Sequence, residues 1–368
     1  MENDELNEPI EPTDPIEPND PTEPNDPIEP TVKTKKAAYK TVCAKLGLTM
    51  IVYYLCRLLA GFLVGLLQRH AYGIGETLSY MIYTGITVIL LYAVPMLLTA
   101  IVFGSFRRYG RGSGGLRALY KKPRRLARAF GTFPAMYGLG YGIALLTLLA
   151  SFLISRITDG QTFIEDLLRP PTMEPSSNIA GALTLLVLMV VIAPILEELW
   201  VRGIMYDALE PYGCGMAIII SSVLFGLMHG SLYMLFYTTA LGFALGYMRS
   251  ATGSIFVTTI LHAICNFVGG GYLFLTTLSM MTQGDSKLLN TFTGIYGVAM
   301  LALIITGIIV FLKKIPTIKK YRVANEWTDA GAGKKIALFV SSIPVIIMLI
   351  LAFNEHANYW LIKIFTGG

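Results

Sequence analysis

The sequence predicts an all-α, polytopic membrane protein with about eight to nine transmembrane helices. Three observations carry that reading. Of 368 residues, 54% are apolar and 14% charged, a balance foreign to an ordinary soluble domain. Apolar stretches long enough to cross a hydrocarbon layer of ~30 Å follow one another in quick succession. Lys and Arg gather at alternate connections between them, as the positive-inside rule requires of a multi-pass chain.

The first element, residues 1–32, is an exception. From Pro9 to Pro30 a proline falls at every third position, eight in all, and residues 1 to 30 hold eleven Asp and Glu with no Lys or Arg. Polyproline II has about three residues per turn, so the prolines form one stripe along an extended, disordered acidic spacer with no core to bury. Docking of that stripe on an aromatic groove is the alternative use. The repeat contains no glycine, which excludes collagen. No charged n-region with a short apolar stretch and a cleavage site opens the chain, so insertion is expected to begin with the first hydrophobic helix.

Spans are then expected near 45–67, 80–104, 132–154, 179–208, 215–229, 235–249, 253–268, 292–312 and 336–354. Residues 33–178 read as N-terminal transmembrane helices with a basic loop, 179–270 as the core that carries the chemistry, and 271–368 as C-terminal transmembrane helices. Lys33, Lys35, Lys36 and Lys40 precede the first span, nine bases lie between Arg107 and Arg128, and seven between Lys313 and Lys335 separate the last two spans. The 157–178 loop holds Arg169 against Asp159, Glu165, Asp166 and Glu174. The expected orientation is a cytoplasmic N-terminus in the cell membrane. Removing the eleven acids of the tail leaves 13 against 29 bases, a net +16 for the rest of the chain. Loops facing anionic lipid account for that charge, and no nucleic-acid partner is needed. Cys43, Cys56, Cys214 and Cys265 show no CxxC spacing and read as small apolar residues. Arg57, near the middle of the first span, either pairs with a carboxylate inside the bundle or snorkels along a tilted helix.

Ionisable side chains at membrane depth cost several kcal/mol unless paired or hydrated, so they mark function by default. One region concentrates them. The run from Val190 to Leu196 leads into Glu197, Glu198, Leu199, Trp200, Val201 and Arg202. At 100° per residue Glu198 and Arg202 share a helix face one turn apart and can pair, whereas Glu197 points away from Arg202. Phe225 and His229 stand at i and i+4, and so do His262 and Asn266. If the fourth stretch is helical to Leu209, Glu197 lies 12 residues before its end, and His229 lies 14 beyond Gly215. At ~1.5 Å per residue the two share one depth to within about 3 Å across an antiparallel hairpin. Bringing His262 level requires a partly non-helical break in 230–235, which Gly230 permits.

At these residues the chain resembles the CPBP family, the type II CAAX prenyl endopeptidases and their bacteriocin-processing bacterial relatives. Its three motifs, EExxxR, FxxxH and HxxxN, are met in order by Glu197-Glu198 with Arg202, Phe225 with His229, and His262 with Asn266. The resemblance covers about 180–270. It implies an intramembrane endopeptidase with a CPBP-type core, acting on a membrane-associated peptide or protein. Glu197 and His229 would hold and deprotonate the attacking water, His262 and Asn266 would stabilise the oxyanion, and Glu198, Arg202 and Phe225 would support them. A carboxylate in an apolar pocket is a better base, and donors aimed at an oxyanion act strongly where water is scarce. No cofactor is the favoured expectation. Zinc on Glu197, His229 and His262 is the alternative, set against the absence of HExxH and the poor ligand quality of Asn266. A non-catalytic immunity or scaffold protein is the rival from another class. A transporter would need a second copy of the motifs, which is absent, and a Cys265–His262 thiol centre has nothing else to activate it. Access for substrate is expected near Trp200 and Tyr206.

Overall fold

The computed structural model describes residues 32–70, 75–105, 122–123, 126–157, 179–320 and 331–356. The proline repeat, most of the 107–128 basic loop and 158–178 lie outside the described residues, as does most of the charge pattern on which the expected orientation rests.

Among the described residues the chain is helical throughout, with no strand. α1 is Val32–His70 and α2 spans 76–102; α3 is Leu126–Ile157 and α4 Ile179–Tyr212. α5 is Cys214–Leu227, α6 Leu232–Thr252, α7 Ile255–Met281 and α8 Lys287–Lys320. α9, Ala332–Val340, and α10, Ile343–His356, meet at a bend of 75°. All nine expected apolar stretches are therefore helical, but they are not equal. Among the described residues six helices are long and apolar enough to cross a membrane, or seven if α9 and α10 form one broken span. α5 has 14 residues, about 21 Å at 1.5 Å per residue, too short for a ~30 Å layer. α6 is long enough, but Tyr, Thr, Gly and Arg249 dilute its apolarity. The two pack against each other as a hairpin. Large apolar side chains such as Leu146, Phe152, Val298 and Ile343 face outward, which suits lipid and no aqueous surface. The protein is an integral, multi-pass membrane protein.

Two prolines shape the helices around the site. Pro194 has no N–H to give, so the preceding backbone opens into a wide π turn at Leu188–Ile192, in which the Ala193 N–H bonds the Leu188 carbonyl. Pro95 follows an equivalent wide turn at Val88–Ala93 in α2. A third wide turn, Leu199–Met205, follows the two glutamates and holds Arg202.

Buried apolar residues form two clusters. One joins α1, α4, α5 and α10 through residues such as Met50, Tyr53, Trp200, Phe225 and Met348. The other joins α3, α6, α7 and α8 through Tyr137, Leu241, Leu261, Cys265 and Ile304. Where α4 and α5 of the first meet α6 and α7 of the second, Glu197, Glu198, Arg202 and His262 are buried. Close approach of α5 and α6 depends on Gly242: a Cβ there would lie 3.1 Å from the Ser222 Cα and 3.2 Å from Phe225.

Candidate active site

The structure brings six of the seven sequence-selected residues into one contiguous contact network, with Phe225 at its hub. Its ring lies edge-on to His229, centroids 4.9 Å apart, and to His262, 5.5 Å apart. The guanidinium of Arg202 stacks over the same ring at 4.5 Å. This hub gives the Phe225–His229 spacing a physical meaning: one helical turn places the histidine on the ring that the other two residues also touch.

Glu198 and Arg202 are both fully buried and pair at 3.5 Å, as their one-turn spacing predicts. Arg202 also donates to the Gly242 carbonyl at 3.1 Å, a contact available only because α6 comes so close. His262 turns Nδ1 to Glu198 Oε1 at 3.2 Å and Nε2 toward Glu197 Oε2 at 3.7 Å. It therefore bridges the two glutamates. Glu197 Oε1 accepts a 2.9 Å hydrogen bond from the Tyr92 hydroxyl. Its Oε2 is buried with no hydrogen-bond partner among the described residues.

His229 sits just past the end of α5, where its Nδ1 donates to the Phe225 carbonyl at 2.8 Å in the tautomer that carries the proton there. It is within Coulombic reach of Glu197 and His262. The break expected in 230–235 lies earlier, at 228–231 with Gly230 at φ +65°, and residues 232–235 are already helical. Asn266, one turn beyond His262, donates to the Met189 carbonyl at 2.8 Å. The wide turn supplies that acceptor, because Pro194 cannot serve the carbonyl five residues before it.

Several partners escaped the sequence reading. Tyr92 contacts Glu197 across 105 positions, and nothing local distinguishes it from other tyrosines. The Met189 acceptor could have been inferred from Pro194. Arg57 does pair inside the bundle, with Glu355 of α10. Lys335, counted among the flanking bases, is buried, and its Nζ donates to the Tyr212 carbonyl. Trp200 and Tyr206 do not line an access route. Both are fully buried, Trp200 donating to Thr99 at 2.9 Å and Tyr206 meeting Cys214 at 3.1 Å. Large aromatic rings fill the core here, as their apolar area favours.

The donor set can be tested against a metal. Each histidine anchors Nδ1, on a carboxylate or a backbone carbonyl, and leaves Nε2, the pattern that orients ligating imidazoles. Yet among the described residues no three His, Cys, Asp or Glu side chains converge on one point. In this arrangement Glu197, His229 and His262 do not fit a three-ligand site.

Fold and site together define a polytopic helical membrane protein whose core buries two adjacent glutamates and a histidine, with a second histidine half-buried beside them. Residues 179–268 match the family model described as Type II CAAX prenyl endopeptidase Rce1-like. The chain is also similar to "Putative membrane peptidase YdiL" of Bacillus subtilis (strain 168), 38% identical over 77 residues. That alignment spans 21% of this chain and 32% of the relative. No solved structure matches the chain.

Proposed function

We propose that the protein is an intramembrane endopeptidase that hydrolyses a peptide bond in a membrane-associated peptide or protein, with Glu197 as the base. One observation carries this. Of two adjacent buried glutamates, Glu198 is ion-paired with the Arg202 guanidinium at 3.5 Å and meets His262 Nδ1, whereas Glu197 is fixed at Oε1 by the neutral Tyr92 hydroxyl and turns Oε2 to His262 at 3.7 Å; Oε2 lacks a hydrogen bond in both, but only that of Glu198 faces the Arg202 charge. A buried carboxylate oxygen without a donor is costly, and at Glu197 a water or substrate group completes it. In the proposed reaction Glu197 takes a proton from a water held between it and His229. The water oxygen bonds the carbonyl carbon, and the carbonyl π pair moves to oxygen. His262, as an imidazolium that keeps Nδ1–H on Glu198 and turns Nε2–H into the site, and Asn266 stabilise that oxyanion. An amide nitrogen carries two N–H groups, of which the Met189 carbonyl takes one. Collapse then breaks the C–N bond, and the proton passes from Glu197 to the leaving amine. No step is routed through a metal. The family resemblance supports the assignment, with the N-terminus taken as cytoplasmic from the flanking bases.

The test uses purified protein in lipid nanodiscs and internally quenched peptides, half ending in a farnesylated cysteine and half unmodified. Glu197→Gln keeps shape and removes the base, and the cleavage rate is expected to fall ~10²- to 10⁴-fold. Cleavage unchanged by Glu197→Gln would return the protein to a scaffold or immunity role.

A further inference from the structure

The end of α5 raises an accounting problem at membrane depth. The last carbonyls of a helix have no partner within it, and no bulk water is at hand to supply one. Here each has a donor. Leu224 accepts from the Met228 N–H, and Gly226 accepts from the His229 N–H at 3.2 Å. Phe225 accepts from the His229 ring. The next two carbonyls are served from α1: Tyr54 donates to Leu227 at 2.9 Å, and Tyr53 donates to Met228 at 2.5 Å. Arg57 adds a second donor to Met228 at 3.0 Å and a bond to the Tyr53 hydroxyl, also at 3.0 Å. Its charge is balanced by Glu355 of α10. The Met228 carbonyl belongs to the peptide bond that begins His229, so these groups fix the backbone from which that ring projects.

Gly230 closes the arrangement from the other side. Its φ of +65° favours glycine, and a Cβ there would run into the Arg57 guanidinium and lie 2.5 Å from Glu355 Oε1. The turn that carries His229 is therefore pressed against the ion pair. None of Tyr53, Arg57 and Glu355 lies within the 179–268 family match.

We infer that Arg57 and Glu355, with Tyr53, are positioning residues for His229: α1 and α10 clamp the His229–Gly230 turn, so that parts of the chain outside the family match set the geometry of the proposed water-holding histidine. The inference rests on the peptidase reading for its effect on rate, but the placement of His229 can be read independently. The experiment compares wild type, Arg57→Met, Arg57→Met/Glu355→Met and Tyr53→Phe in nanodiscs. It measures thermal unfolding, kcat and KM on the cleaved quenched peptide, and the ¹⁵N resonances of labelled histidine.

Arg57→Met leaves Glu355 buried and unpaired, so stability and rate should both fall. The double variant removes both charges. It should unfold near the wild-type temperature, while kcat stays ~10²-fold low at unchanged KM and the His229 resonances move with those of His262 in place. Tyr53→Phe, which alters no charge, should lower kcat in the same sense and carries the test if the double variant does not fold. Recovery of both kcat and the His229 resonances in the double variant overturns the inference and leaves the pair a purely structural bridge. If wild type cleaves no peptide, it is the peptidase reading that fails; unmoved His229 resonances in the variants would then overturn the clamp, and shifted ones would support it.

Discussion

The two halves of the site are built on different terms. Glu198 is charge-paired: Arg202 and His262 Nδ1 face it, Arg202 is held in turn by the Gly242 carbonyl and the Phe225 ring, and both members of the ion pair are fully buried. Around Glu197, one residue earlier on the same helix, one oxygen is held by Tyr92 and the other faces His262 across 3.7 Å with no hydrogen bond. A buried ion pair rarely adds net stability over an apolar replacement, but losing one partner is severe. The ion-paired half should therefore show itself in folding, and the Glu197 half in rate.

The strongest way to break that division is Arg202→Met. It strands a fully buried Glu198, and unfolding in nanodiscs should become easier by about 3–5 kcal/mol. Adding Glu198→Gln should recover much of the loss. Should Arg202→Met instead leave stability intact and abolish cleavage, the ion-paired half would belong to the chemistry, and the contrast would fail.

Tyr92→Phe probes the Glu197 half more gently. It removes one hydrogen bond from Glu197 Oε1 and leaves the packing of the ring in place. The expected loss is about tenfold in kcat, equivalent to ~1.4 kcal/mol and to roughly one hydrogen bond to a charged group, with KM and unfolding unchanged. A loss confined to stability would move Tyr92 from orienting the base to simple packing.

What could be read from the sequence follows the same line. Contacts within one helical turn were legible: the pairing of Glu198 with Arg202 and the edge-on contact of Phe225 with His229 both follow from i, i+4 spacing. The break at Gly230 was anticipated from the depth that His262 had to reach. The helices themselves were legible as apolar runs, although apolarity alone could not tell a spanning helix from the α5–α6 hairpin. Partners supplied by distant helices were not legible. Tyr53, Tyr92 and Glu355 carry no local mark, because a tyrosine or a glutamate gains its role from the groups it meets only once α1, α2 and α10 are packed. Trp200 and Tyr206 misled for a related reason: an aromatic beside a motif suits a binding wall as well as a sealed core, and helix packing decides between them.

The smallest expected effect is that of a chelator, and it sharpens the Glu197 half most. Glu197 Oε2, His262 Nε2 and the far nitrogen of His229 are the atoms a zinc ion would need, and the anchoring of both Nδ1 atoms would suit it. Convergence is what is missing among the described residues, and ligands must lie ~2.0–2.2 Å from one point to hold the ion. The same spacing suits a water between a carboxylate and an imidazole, each reached by a hydrogen bond of ~2.7–3.0 Å. Prolonged dialysis of the nanodisc protein against a strong chelator should thus leave peptide cleavage unchanged, and zinc added back should not raise it. A rate that falls on dialysis and returns with zinc would mean that the histidines close on a metal when substrate is bound, and that Glu197 serves as ligand rather than as base.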